Sequence, residues 1–567
     1  MASSAPPGST GPELTVRAVL VGCLLGAILA AGNVYMALKT GMGDAGFIAS
    51  ALLGFALFAA LRPLGARPYA ALENNITQTV ASSAGQAVFT ASLVGGFPAL
   101  AMLGRQYPAW LLGLWGFSLA ILGIFAGLAL RERLIVAERL PFPTGGATAS
   151  VIEALQASRA ALRRAHVLVT SGGLSMAVVW FRDGRPAWIP QSVGLFGSRL
   201  GISLSPMLIG AGMLIGVRVG LSLLLGTILA WIVLVPVIVH RHLAPASSYE
   251  ALASWLMWPG VSILIAASMT SLLLDWRVFA RALGDLRRLG VRGSSASSAR
   301  TLGLVLAALA VGIILLLAWW KLHMSLVAIV VALALSLVLA LVCGRATGET
   351  DIAPITQMGQ LTQALFTLLF PGQFAVGVLA STVPAGNASH TASSLWSLKA
   401  GHQLGSNPWR QGLAQVIGAA IGMAIAVPTY WLLVRAYGIG TESLPAPAAA
   451  TSKAIAELAR VGSSAMPPAA TVASAVAALV GVALALLERT RVRRWVPSAV
   501  AMSVAFLVPA PFCVTLCLGA LGMAVLQARW RTWCDAYATP LAAGCIAGEA
   551  LMGAAIGALI ATGALGR

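Results

Sequence analysis

The sequence predicts an all-α polytopic membrane protein, with about 16 transmembrane or re-entrant helices arranged in two halves. Three observations predict it. Of 567 residues, 59% are hydrophobic and only 9% charged, and the mean hydropathy is +0.89; a soluble chain carries roughly 25% charged residues. The apolar residues fall in runs long enough to cross a bilayer. The basic residues collect in short blocks between those runs.

The elements follow in order. Residues 1–14 are polar, with Pro and Ser, and are expected to be disordered. The run from Val16 to Leu38 is long enough to span, so it reads as a first helix and not as a cleaved signal. Further apolar segments lie near 45–61, 76–104, 109–130, 167–181, 200–217, 219–239 and 251–274, and then near 301–320, 323–343, 360–383, 410–434, 466–487, 497–508, 511–528 and 540–564. Between the two sets lies an Arg- and Ser-rich stretch with Arg277, Arg281, Arg287, Arg288, Arg292 and Arg300. The expected organisation is therefore 15–276 as an N-terminal membrane half, 277–300 as a cytoplasmic linker and 301–567 as a C-terminal half.

Charge sets the orientation. The 36 Lys+Arg exceed the 17 Asp+Glu, giving +19. Blocks at Arg62 and Arg67, at Arg131, Arg133 and Arg139, in the 277–300 linker and at Arg345 fall at the same side if the N-terminus is cytoplasmic. Basic residues so placed argue for loops at a membrane and against nucleic-acid binding. The six cysteines are scattered without a CxxC pair and read as small buried hydrophobes. His240-Arg241-His242 lacks nearby carboxylates or thiols, so no metal site and no cofactor is expected.

One stretch breaks the apolar pattern. Ala71 to Gln86 carries one carboxylate, four amides and four hydroxyls, and on a helix Asn74, Gln78, Ser82 and Gln86 fall at i, i+4, i+8 and i+12. Unsatisfied polar groups in lipid cost several kcal/mol each, so this stripe faces other helices or a wet cavity. Its polar density favours a cavity lining over a seam that merely glues helices, and Glu73 becomes a functional candidate.

Other segments look broken. Leu140-Pro-Phe-Pro-Thr-Gly-Gly-Ala-Thr joins a helix end to a new start, where Gly145 and Gly146 expose backbone and Thr144 or Thr148 can cap. Thr347-Gly-Glu-Thr-Asp-Ile-Ala-Pro is similar, and is followed by Thr356, Gln360 and Gln363 on one helical face. Asn387 to Ser394 leads into Leu398-Lys399-Ala400-Gly401-His402, an echo of Leu38-Lys39-Thr40-Gly41. In the last helix, Gly544, Gly548, Gly553 and Gly557 surround Glu549, a carboxylate that needs a partner or water.

These blocks carry a family resemblance. The chain resembles a prokaryotic member of the oligopeptide transporter (OPT) family, which also includes the plant yellow-stripe metal-chelate carriers. The resemblance rests on Glu73-Asn-Asn-Ile-Thr-Gln-Thr-Val-Ala-Ser, Leu140-Pro-Phe-Pro-Thr-Gly-Gly-Ala-Thr-Ala, Thr347-Gly-Glu-Thr-Asp-Ile-Ala-Pro, Leu398-Lys-Ala-Gly-His-Gln-Leu-Gly-Ser-Asn-Pro-Trp-Arg-Gln and Ile546-Ala-Gly-Glu-Ala-Leu-Met-Gly, in the family's order. It implies a secondary active, proton-coupled importer of short peptides or peptide-like compounds in a bacterial inner (cytoplasmic) membrane. Where the family often has acidic residues before the Leu-Lys-x-Gly-His block, this chain has Ser393 and Ser397, so no role of those acids carries over.

A peptide zwitterion asks for an acid at its amine, a cation or helix N-terminus at its carboxylate, and amides between. The residues suited to binding are Glu73, Asn74, Asn75, Gln78, Gly145, Gly146, Gln360, Lys399 and His402. Those suited to proton coupling are Glu73, Glu549, Glu349 and Asp351, the last two also readable as structural caps. Glu73→Gln is expected to abolish uptake without loss of expression. The expected partners are a small-molecule substrate (short peptide or metal chelate), protons and the lipid bilayer, with glycine-rich surfaces that permit a homodimer. A metal-chelate carrier of the same family and a passive channel are the alternatives. A membrane enzyme is disfavoured, because Ser393 or Ser397 with His390 or His402 lacks a third member.

Overall fold

The computed structural model describes residues 12–43, 46–61, 67–157, 160–194, 200–244, 246–274, 297–351, 353 and 355–565. In the first half, α1 spans Val16–Thr40, α2 Phe47–Leu61, α3 Ala71–Thr90, α4 Gly96–Met102 and α5 Ala109–Arg131; then come α6 Pro143–Ala157 and α7 Ala160–Asp183. A small hairpin of β1 (Ser192–Gly194) and β2 (Gly201–Ser203) leads to α8 Pro206–Ile215, α9 Val217–Thr227, α10 Val235–His240 and α11 Tyr249–Leu274. The second half holds α12 Ser297–Trp320, α13 Leu326–Thr350, α14 Ile355–Leu369, α15 Phe374–Leu404 and α16 Pro408–Tyr437. It ends with α17 Pro447–Val461, α18 Ala470–Leu487, α19 Ala499–Val504, α20 Ala510–Arg529 and α21 Arg531–Ala561.

Among the described residues, ten helical stretches are long and apolar enough to cross a membrane, and two shorter apolar helices join them. The protein is thus all-α and polytopic. The long helices α3, α7 and α15 are not among those ten, because their polar residues dilute the apolar run. α3 and α15 sit instead inside the bundle, α3 packed on α1, α15 and α16, whereas α7 packs one face on α21 and leaves Val169 and Leu174 exposed on another. The linker expected at 277–300 falls largely outside the described residues, as does Arg62.

Helices far apart in the sequence interleave. α3 packs on α1 and on the later helices α15 and α16, and α1 itself packs on α16. The α3–α16 contact is close because glycine makes it so: a Cβ on Gly418 would stand 2.2 Å from the Val80 carbonyl oxygen, and one on Gly422 2.4 Å from that of Ala84.

Several boundaries differ from the sequence expectation. The apolar run 76–104 is two helices, α3 and α4, separated by a turn at residues 91–95. The run 360–383 is cut at residues 370–373, between α14 and α15. Asn387 to Ser394, expected as a break, lies inside the 31-residue α15, which contains Pro384 without interruption. There the hydroxyls of Ser381, Thr382 and Thr391 bond back to carbonyls of their own helix, which satisfies them without leaving it. Near the N-terminus, Glu13 is buried and ordered: its carboxylate accepts from Ser406, from the Asn407 N–H and from Arg410, so it caps α16.

Candidate functional site

Polar groups gather at both ends of α3. At its start, Glu73 is fully buried yet satisfied: Arg17 Nη2 stands 2.5 Å from Oε2 and Nε 2.8 Å from Oε1, Thr15 donates at 2.7 Å, and the Ala70 N–H donates at 3.2 Å. The acid is therefore a cap and a tie between α1 and α3. Beside it, Asn74 is fully buried with neither amide atom paired among the described residues, and Asn75 Nδ2 and Gln78 Oε1 also lack partners. Gln78 Nε2 donates to Asn75 Oδ1 at 3.0 Å.

Farther along, the stripe is sealed. Ser82 meets Ser397 at 3.5 Å, Ser83 meets His390 Nε2 at 3.1 Å, Gln86 meets Ser389, and Thr90 meets His390 Nδ1 at 3.0 Å. This part of α3 is a hydrogen-bonded seam against α15, not the cavity lining expected for it. His390, buried between two hydroxyls, holds the seam together.

Lys399, His402, Gly145 and Gly146 lie on the Glu73 side of this seam. Lys399 Nζ donates to the Leu140 carbonyl at 2.8 Å, and Arg131 reaches His402 Nδ1 at 3.4 Å. A Cβ on Gly145 would stand 2.9 Å from Lys399 Cβ, so the glycine admits the lysine stem. The start of α6, expected to receive an anion from outside, is filled from within. Asp351 accepts from the Thr144 N–H at 3.0 Å, from Thr144 Oγ1 at 2.6 Å and from Trp396 Nε1 at 2.7 Å, while the Gly146 N–H goes to Phe142 O. Glu349 is ion-paired to Arg345 at 3.0 Å, and Arg345 also binds Glu138 at 2.8 Å. Glu138 lies just past the α5 span: burial pushes its carboxyl up, but Arg133 and Arg345 outweigh that and hold it below the usual carboxylate range.

The cavity lies at the other end of α3. Its volume is about 670 Å³, and it is lined by Thr40 to Gly43 at the end of α1, by Phe89, Ser92, Val94, Gly95 and Gly96 around the end of α3, and by parts of α9, α11, α14, α15, α17, α19 and α20. Glu73 and Phe89 are sixteen residues apart on one helix, roughly 24 Å at 1.5 Å per residue. Of the residues expected to bind substrate, Gln360 alone lines this space. Its amide nitrogen and oxygen are both buried and unpaired among the described residues. No described lining residue is acidic, basic or histidine.

Behind one wall lies a cluster of buried charge. Glu549 is fully buried in α21; Arg182 Nη2 stands 3.0 Å from it, Lys39 Nζ 3.5 Å, Ser205 Oγ 2.7 Å and the Met207 N–H 2.9 Å. Arg182 also binds Asp183 at 2.6 Å, so two cations face two anions. Lys39 directly precedes the lining residue Thr40, and its Nζ lies 5.3 Å from the ring centre of Phe512, another lining residue. The sequence foresaw that Glu549 needs a partner but not which one. The available signal was Arg182-Asp183 at the end of an apolar run.

Spanning helices from both halves, wrapped around a void large enough for a small solute, are the build of a polytopic membrane transporter. The chain belongs to the oligopeptide transporter family: the family profile described as OPT oligopeptide transporter protein matches residues 13–560. It is 23% identical, over 77% of its length and 80% of the relative's, to a protein of Saccharomyces cerevisiae named as a candidate oligopeptide transporter. It is 24% identical, over 96% of its length and 94% of the relative's, to a protein of Oryza sativa subsp. japonica named as a candidate metal-nicotianamine transporter. It is 26% identical to a rice protein named as an iron-phytosiderophore transporter, over 90% of this chain and 86% of that one.

Proposed function

We propose that this transporter imports short peptides or peptide-like compounds by alternating access, driven by protons, across a bacterial inner membrane with its N-terminus in the cytoplasm. The cavity supports the reading most directly, because residues of both halves enclose it and the α3–α15 seam closes the route from it toward the Glu73 end. Arg17, Arg131, Arg345 and Arg410 gather at that end, which fits a cytoplasmic face. The unpaired amides of Asn74, Asn75 and Gln78 then belong to the inner part of the path, shut in this conformation.

Glu549 is the acid we assign to coupling. Of its two cations Lys39 is the looser, at 3.5 Å against 3.0 Å for Arg182, and Lys39 adjoins the cavity wall. Protonating Glu549 frees Lys39 and with it the end of α1. Glu73, Glu349 and Asp351 are held by arginines or by a helix start, which supports structural work for them instead. The test is uptake into liposomes under an imposed proton gradient. Glu549→Gln should abolish gradient-driven accumulation while leaving exchange of labelled for unlabelled substrate, and equal accumulation in the variant would remove Glu549 from coupling.

The relatives named for metal-nicotianamine and iron-phytosiderophore transport favour a second reading, carriage of a metal chelate. Competition between a tripeptide panel and ferric or nickel chelates separates the two. A passive channel is distinguished by flux that neither saturates nor shows counterflow.

A further inference from the structure

The chemistry of the cavity narrows the cargo, on the reading that this cavity is the transport site. A formal charge brought into surroundings without a counter-charge loses its hydration with nothing to replace it, and no described lining residue offers one. Four of the hydroxyls that line it are committed as donors within their own helices. Thr40 gives its hydrogen to Met36 O, Ser381 to Val378 O, Thr382 to Leu379 O and Thr451 to Pro447 O. The Thr40 oxygen also accepts from the Met42 N–H and that of Thr382 from Trp115 Nε1, whereas Ser381 and Thr451 present to the cavity an oxygen, an acceptor.

Gln360 is different. It is 5% exposed, lines the cavity, and has an amide whose nitrogen and oxygen both lack partners among the described residues. A buried amide with nothing to bind is destabilising on its own account, and both of its atoms are free to bind what enters the cavity. Thr356 lies one turn before it on the same face of α14 and lines the cavity too. Gln357, Ser92, Ser452 and Ser498 add further uncharged polar groups, and the remaining surface is apolar side chains and glycine backbone.

We propose that the cavity takes an uncharged compound rich in amides and apolar side chains, such as a capped or cyclic short peptide, in preference to a zwitterionic peptide or a carboxylate chelate of a metal. Gln360 grips one amide group of that compound through both its own atoms: its nitrogen donates to the carbonyl and its oxygen accepts from the N–H. Further N–H groups of the ligand go to the hydroxyl oxygens of Ser381 and Thr451.

The test uses the purified full chain and three probes: N-acetyl-Leu-Ala-Leu-amide, free Leu-Ala-Leu, and an iron(III) polycarboxylate chelate. Binding is read by titration calorimetry, and counterflow in liposomes. The capped peptide should bind at least tenfold more tightly than the other two. Gln360→Leu should weaken it at least tenfold while the melting temperature of the ligand-free protein stays level or rises. Equal or tighter binding of the free peptide or of the chelate overturns the proposal, as does a Gln360→Leu variant that loses stability and keeps its affinity. Counterflow of the free peptide or the chelate without the capped peptide sinks this inference alone. Capped-peptide binding without counterflow of any probe sinks the transport reading and leaves the binding preference standing.

Discussion

Lys39 and Glu549 stand 3.5 Å apart, one at the end of the first spanning helix and the other inside the last, with Arg182 at 3.0 Å on the same carboxylate oxygen. Counting Asp183, the cluster is neutral, and neutrality is what makes its burial tolerable. Removing one member leaves an uncompensated charge, at a cost of about 3–5 kcal/mol. Glu549→Gln should therefore lower the melting temperature of the detergent-purified protein sharply. Adding Lys39→Met restores one cation to one anion and should recover part of the loss. A double variant no more stable than Glu549→Gln alone would show that the two residues do not share a charge balance.

Glu73 changes its expected role. Its partners Arg17, Thr15 and the Ala70 N–H make it a structural tie roughly 24 Å from the cavity. Glu73→Gln should lower stability by about 1–3 kcal/mol, the cost of a broken buried charge-assisted bond. The KM of the folded fraction should stay within about threefold, less than 1 kcal/mol. Abolished uptake at normal stability would return Glu73 to the mechanism.

Glu138 gives the fold an acid-sensitive corner. Because Arg133 and Arg345 hold its folded pKa below the unfolded value, near 4.3 for a free glutamate, the stabilisation is fully present above that value. It is lost as pH falls through the lower folded value. Melting temperature measured from pH 6 to pH 3 should drop less steeply in Glu138→Gln than in the parent. Identical acid limbs would assign the acid sensitivity elsewhere.

Gly418 and Gly422 set how closely α16 approaches α3. A methyl at either position meets backbone oxygen, at 2.2 Å and 2.4 Å, and backbone cannot rotate away. Gly418→Ala or Gly422→Ala should destabilise by about 1–3 kcal/mol. At Gly312 nothing stands within 4 Å of the added carbon, so Gly312→Ala should be neutral or stabilising by up to about 1 kcal/mol. Similar melting shifts at all three sites would refute the packing argument.

The membrane class and most apolar helices were legible in the sequence, because burial in lipid demands long apolar runs. The polar helices were legible as anomalies: Asn74 to Gln86 announced that it could not face lipid. What it faced was not legible, since a stripe suits water and a partner's hydroxyls equally. Ser389, His390 and Ser397 lie more than 300 residues away from it. The cavity was nearly invisible for a related reason. Its walls are apolar side chains, glycines and hydroxyls drawn from distant regions of the chain, with the amides of Gln357 and Gln360 among them. Arg182 and Asp183 were hidden among other Arg-containing ends because nothing local marks an arginine as buried.

Asp351 has a mechanical consequence. By capping α6 and holding Trp396, it fastens a helix of the first half to the second, and Lys399 adds a bond to Leu140 in the same turn. On the alternating-access reading proposed above, a hinge between residues 276 and 301 would break these bonds in each cycle, and a swinging body that keeps α6 with α15 would spare them. The sequence order of the helices is then a poor guide to which of them travel as one.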